Sequence, residues 1–276
     1  MEPIVAVVKS DSLNQALDVL DCMSRLNTSN RELIVKVGIY NPNTGICTTV
    51  DTLNQIINSF DRVDDILITE SDSSAGPGLE RLEVWRECYN DRASPFNLSD
   101  DKETKQSTIV GESVPLSHIF FESNTFLSTH VLRRYKDSGL KDMMNMGTVV
   151  KNLLGLVPDT RKNRFHDKLP TALLDFYEAI GGIDLSVLDA THVFLGKKNK
   201  EITISPELLI VGEDAFAVEA VGAYLVGLEY EEMPVLQEAS ERGLGETNID
   251  RIKIVGDLEA PRELILNAFN SINIEN

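Results

Sequence analysis

Cysteine is scarce in this sequence. Cys22, Cys47 and Cys88 stand far apart, and no two form a CxxC pair. This argues against a zinc site or an iron–sulfur cluster held by the chain alone, and reads as reduced, partly buried thiols in a cytoplasmic protein. Long apolar runs are missing too. Nothing approaches the roughly 18 residues of a membrane-spanning helix, and "MEPIVAVVKSDS" lacks the basic and apolar regions of a signal peptide. Positive charge is in short supply, with 26 Lys plus Arg against 44 acids and a formal net charge of -18. A polyanionic backbone is repelled by such a surface, so nucleic acid is a disfavoured partner. GxGxxG, P-loop and GxSxG motifs are absent, and the four histidines form neither HxH nor HExxH spacing. No metal set is visible, and the cofactor, if any, is unknown.

What is present is an alternation of apolar runs and helical periodicity. "IVAVVK" (4–9), "ELIVKVGIY" (32–40) and "DDILITES" (64–71) read as strands. Between them lie helical patterns over 10–26 and 48–60, the second with a Thr cap. Strand, helix, strand, helix, strand predicts a parallel sheet with right-handed crossovers. "NDRASPFNLSDDKETKQST" (90–108) has little periodicity and reads as a mobile polar insert. Further on, 118–123, 184–190, 207–213 and 251–256 read as strands, and 145–156, 169–182, 214–227, 232–245 and 260–272 as helices. Asp214 is expected to cap the small-residue helix that follows it. The expected fold class is α/β, with mostly parallel sheets and flanking helices in two lobes around a cleft. An N-terminal lobe covers 1–112 and a C-terminal lobe 113–276.

Against the acidic background, one segment gathers cations. Between His130 and Lys168 lie nine Lys or Arg and four Asp: the cations are Arg133, Arg134, Lys136, Lys141, Lys151, Arg161, Lys162, Arg164 and Lys168. Such a cluster suits a phosphate or carboxylate, with Lys as a point charge and Arg as a bidentate fork. It equally suits pairing with the acidic remainder of the fold. Lys151 is the sharpest member, because "TVVKNLLGL" surrounds it with apolar residues and its ammonium needs a partner or a cavity. A second candidate is "ESDSSAGPGLER" (70–81), a Gly- and Ser-rich strand-to-helix turn whose backbone N–H groups at Ser73 and Gly76 suit an anion. His166 and His130 are candidate proton-transfer residues near neutral pH.

Several of these segments together resemble the domain of unknown function 362 family. "VKNLLGLVPDTRKNRFH" is similar to the family's pattern of lysine–asparagine, glycine, proline, lysine and histidine. "GEDAFAVEAVGAYLVGLE", "ASERGLG" and "IDRIKIVG" resemble its C-terminal half, "FLSTH" its lysine–threonine–histidine segment, and "IVKVGIYNPNTGICTTVDTL" its N-terminal segments. The resemblance adds Lys36, Thr48, Thr49 and Asn152 to the candidate ligand-binding residues. It also shows departures. Val37 and Gly38 stand where the family has proline and asparagine, Ser128 replaces a lysine, and Glu219 replaces a common aspartate. Some members carry ferredoxin-like cluster domains, which implies a redox setting; this chain has no cysteines for such clusters.

Two functional expectations follow. In the first, Lys36, Thr48, Thr49, Ser73, Gly76, Lys151, Asn152, Arg161 and Lys162 hold a small anionic ligand in the interlobe cleft, and His166 or His130 handles protons. In the second, the departures mark a non-catalytic accessory protein whose partner is a second copy of the chain or an iron–sulfur redox protein. Neither expectation involves a membrane.

Overall fold

The computed structural model describes residues 2–135, 145–197 and 200–274. Lys136 and Lys141 of the basic segment lie outside the described residues. The chain forms an α/β fold around one largely parallel sheet. Its N-terminal part runs β1 (Ile4–Lys9), α1 (Leu13–Leu20), α2 (Met23–Leu26), β2 (Glu32–Val37), α3 (Val50–Ser59), β3 (Ile66–Glu70), α4 (Gly78–Leu82) and β4 (Ala93–Asn97). A separate hairpin of β5 (Thr104–Ile109) and β6 (Glu112–Ser117) follows. Then come β7 (Asn124–Tyr135), β8 (Met146–Gly147), α5 (Leu169–Ala179), β9 (Leu185–Lys197), β10 (Lys200–Ile204) and β11 (Leu208–Gly212). The chain closes with α6 (Ala215–Leu225), α7 (Pro234–Arg242), β12 (Lys253–Val255) and α8 (Glu259–Ile274).

The strand order is β12-β1-β11-β9-β7-β2-β3-β4, with β10 on β9 and β8 on β7. On this path only β11 runs antiparallel to its neighbours. Strands from both halves of the chain share the one sheet: β1 lies between β12 and β11, and β7 pairs with β2 on one side and β9 on the other. The division expected at residue 112 falls at the start of β6, inside the hairpin.

Side chains alternate across the pleat, so each strand feeds two cores. Val5, Ile34, Phe126, Leu188 and Ile210 face one. Ala6, Leu33, Val35, Leu127 and Leu209 face the other. α1 and α3 cover the second core, with Leu17, Leu53 and Ile56; α5 and α6 cover the first, with Leu173, Phe176 and Val218. α6 is apolar on nearly every side apart from Glu219, and is correspondingly buried. Its Gly222 lets Leu188 approach so closely that a Cβ there would lie 2.7 Å from Leu188 Cδ2. Asp214 caps this helix as expected, its Oδ1 accepting from Phe216 N and Ala217 N at 3.0 Å each.

Three sequence readings need correction. The 90–108 stretch carries β4 and most of β5 rather than a structureless insert. Ala93 and Asn97 are buried, and the strand pairs with β3 despite its Pro95, which is tolerated at a sheet edge. "HIFFES" opens with a 3-10 turn at His118–Phe121, not a strand. The segment 145–156 is no α-helix. It pairs briefly as β8, then closes a 3-10 turn at Lys151–Leu156 that buries Leu153 and Leu156.

Candidate functional site

β2 and β7 are parallel neighbours, and the chain leaves them in opposite directions. After β2 it crosses over through α3 to β3; after β7 it returns through the Lys151–Leu156 turn and α5 to β9. α3 and α5 belong to opposite cores. This divergence above the carboxyl ends of two adjacent strands is a topological switch point, the place where open α/β sheets bind ligands.

Lys36, at the end of β2, has no exposed surface. Its Nζ donates to Val37 O at 2.7 Å, Glu70 Oε1 at 2.9 Å and Asn152 Oδ1 at 3.0 Å. All three N–H groups are therefore spent inside the protein. Glu70, the last residue of β3, divides its other oxygen between Ser71 N at 2.6 Å and the Arg81 guanidinium at 3.0 Å. Burial pushes the Glu70 carboxyl up, but Lys36, Arg81 and Lys162 together outweigh this and hold it below the usual range. Burial lowers Lys36 against the pull of Glu70. Arg81 also donates to Ile39 O and Ser71 O. Two buried cations, Lys36 and Arg81, thus share one carboxylate, with Lys162 within electrostatic reach of it.

Asn152 fastens the Lys151–Leu156 turn to the sheet. Its Nδ2 donates to Lys36 O at 2.8 Å, Thr129 O at 3.1 Å and Ser128 Oγ at 3.2 Å, across β2 and β7. Gly155 lies over Lys36; a Cβ there would stand 2.6 Å from both Cε and Nζ. Lys162 donates to Ser71 Oγ and Val157 O, and burial, opposed by Glu70 and reinforced by Lys36 and Arg81, brings its ammonium down to about 8.

Lys151 points to the other side of the turn. Its Nζ lies 4.3 Å from the centroid of the Tyr135 ring, a cation–π contact, and it makes no ion pair among the described residues. His130 is largely buried. Its Nδ1 lies 2.6 Å from Val131 O, which places the proton there and leaves Nε2 the acceptor. Burial, then Lys151, Lys36 and Arg133, push this imidazole down to about 4 despite the bond to Val131. Burial and Lys151 also lower His166. Beneath them Glu219 is fully buried. Its Oε1 accepts from Val150 N at 2.7 Å, and burial raises its carboxyl to about 7 although the Thr148 hydroxyl, the Val150 N–H and the Lys151 charge oppose the shift.

The expected residues therefore separate. Lys36, Asn152 and Lys162 form one linked group; His130, Lys151 and His166 form a second within electrostatic reach of it. Thr48 and Thr49 serve the opposite face. Thr48 Oγ1 bonds Thr129 Oγ1 at 3.1 Å, and Thr49 caps α3 while its N and Oγ1 donate to the buried Asp189 at 2.8 and 3.0 Å. The Ser73–Gly76 turn is closed on itself. Ser73 N donates to Gly76 O, Gly76 N returns to Ser73 O, and Gly78 N is taken by Asp72, so these N–H groups are not presented to an anion. Arg161 is exposed and faces Asp159 at 3.8 Å, while Arg164 grips Asp159 through both terminal nitrogens. Sequence reasoning did not pair Glu70, Ser71 and Arg81 with Lys36 and Lys162. Among the described residues no three His, Cys, Asp or Glu gather as a metal-ligand set, and no helix is long and apolar enough to cross a membrane.

The fold and this polar cluster define a doubly wound α/β protein with its buried charges at the switch point. A family model described as domain of unknown function (DUF362) matches residues 34–224, and the chain belongs to that family. The match spans β2 to α6 and so includes both polar groups. No curated protein matches the chain.

Proposed function

We propose that the chain binds a small phosphate- or carboxylate-bearing ligand above the carboxyl ends of β2 and β7, next to Lys151, His130 and His166. The observation that supports this reading is the state of Lys151. Its ammonium has an aromatic ring but, among the described residues, no carboxylate at ion-pair distance, and it stands beside two imidazoles that its own charge helps to keep neutral. An anion arriving there gains a cation with no ion pair among the described residues, and it raises both imidazoles toward protonation. If the ligand is transformed as well as bound, His166 and His130 are the residues that move its proton.

Thermal unfolding against a panel of inorganic phosphate, nucleotides and small organic acids tests this. A ligand at about 100 times its Kd stabilises the native state by about 2.7 kcal/mol. Lys151→Ala, on a half-exposed side chain, should fold and lose that shift. An equal shift in the variant removes Lys151 from the site. One observation favours the alternative of a non-catalytic accessory protein with a second copy or a redox protein as partner: Lys36 has no N–H left for a ligand.

A further inference from the structure

Lys162 is held by two protein acceptors at a site that favours loss of its proton. Ser71 Oγ donates its own hydrogen to Gly155 O, so toward Lys162 it acts as an acceptor. Val157 O accepts the second hydrogen. Two protein acceptors leave one tetrahedral position of the nitrogen open toward the exposed side, where the ammonium carries its third N–H and the amine, once the proton is lost, its lone pair. The ammonium would also be a third cation beside Lys36 and Arg81 around the single carboxylate of Glu70. The side chain is partly exposed, whereas Lys36 and Arg81 are enclosed. Desolvation and neighbouring cations are the two general means by which a lysine becomes a nucleophile.

We propose that Lys162 is a reactive amine that forms a Schiff base with an aldehyde or ketone carrying a negatively charged group. The lone pair attacks the carbonyl carbon, and a proton passes from nitrogen to the carbonyl oxygen to give a carbinolamine. A proton from solvent then lets the hydroxyl leave as water, and the C=N bond forms as a protonated imine. No electrons are gained or lost, and no co-reactant beyond that proton is needed. The protonated imine keeps one N–H, which Ser71 Oγ or Val157 O continues to accept. The anionic preference follows from Lys36 and Arg81, whose joint charge exceeds that of Glu70, while the nearby Asp159 is itself neutralised by Arg164. This amine lies across the turn from His130 and Lys151, so the inference stands independently of the anion site there.

The test uses the full chain with glyoxylate, and separately with the uncharged propionaldehyde, each followed by borohydride reduction and peptide mapping. In glyoxylate at about pH 7, Lys162 should be modified at least about tenfold faster than the median lysine, since lysine amines otherwise titrate near 10.4. Its advantage should shrink with propionaldehyde. Lys162→Arg keeps the charge and should lose the dominant adduct. If Lys162→Arg fails to fold, the wild-type rates and the pH midpoint of Lys162 acetylation, expected at about 8, still decide. Modification no faster than the median, or a midpoint at the ordinary lysine value, overturns the proposal. Equal advantage with both aldehydes overturns its anionic part.

Discussion

The imidazole of His130 lies against the backbone of Gly38: a Cβ added there would stand 1.9 Å from Cδ2 and 2.8 Å from Nε2. The contact joins the residue just past β2 to the middle of β7. Gly38→Ala therefore displaces the ring. Overpacking of this kind typically costs about 1–3 kcal/mol. Urea unfolding should show that loss, and the His130 ring resonances should shift. Unchanged resonances would mean that the ring has room to spare.

Two buried groups near this contact titrate with opposite sign. His130 is depressed to about 4, so its contribution is present above the unfolded-state value near 6.5 and lost as pH falls through about 4. Glu219 is raised to about 7, so the folded state is favoured below the unfolded-state value and loses that advantage as pH rises through about 7. Each shift is worth about 3 kcal/mol at 1.36 kcal/mol per unit. In the wild type the two largely offset one another between about pH 4.5 and 6.5. Glu219→Gln removes one side. Its stability should then rise with pH across that window and exceed wild type above about pH 7 by about 1–3 kcal/mol. Urea midpoints measured across that range check this, and parallel profiles for the two proteins would sink it.

Lys36 leaves no donor unused, so its removal strands its acceptors. Lys36→Met deprives Glu70, Asn152 and Val37 of a partner at once. Breaking a buried ion pair by deleting one member costs about 3–5 kcal/mol. Calorimetry or urea unfolding should show a loss of that size. A loss under about 1 kcal/mol, the range of surface pairs, would mean that Arg81 alone suffices for Glu70.

Burial also governs the thiols. It pushes Cys47 and Cys88 up to about 11. In the native protein both should react with a thiol reagent far more slowly than after unfolding, at neutral and mildly alkaline pH alike. Fast labelling of either in the folded state would show that its cover opens.

The strands and helices with strong periodicity were legible in the sequence. β1, α3, α5 and α6 lie close to where their apolar spacing put them, and Thr49 and Asp214 cap as their chemistry suggests. β4 to β6 were not legible, because "ASPFN" and "TKQSTI" are half polar and gain strand form from pairing rather than pattern. The turn at Lys151–Leu156 reads as a helix by periodicity alone. It becomes a 3-10 turn because Asn152 bonds to two strands and Gly155 must pass over Lys36. In the cluster, Lys162 stood out by composition and Lys36 through the family resemblance, but their partners did not. Glu70 and Arg81 are ordinary charged residues until the fold brings them together, 34 and 42 positions beyond the Lys36 and Ile39 they bond.

The bond between Lys36 and Asn152 spans 116 residues of chain. While the N-terminal strands assemble during folding, a lysine waits inside an apolar face for an acceptor that belongs to the other half. Contacts of such high sequence separation form late and leave surface exposed meanwhile. The cluster therefore couples the order of assembly: β1 to β3 gain a satisfied interior only once β7 and the turn after it are in place. A fragment ending near residue 112 should collapse without a cooperative transition, and the intact chain should unfold in one step.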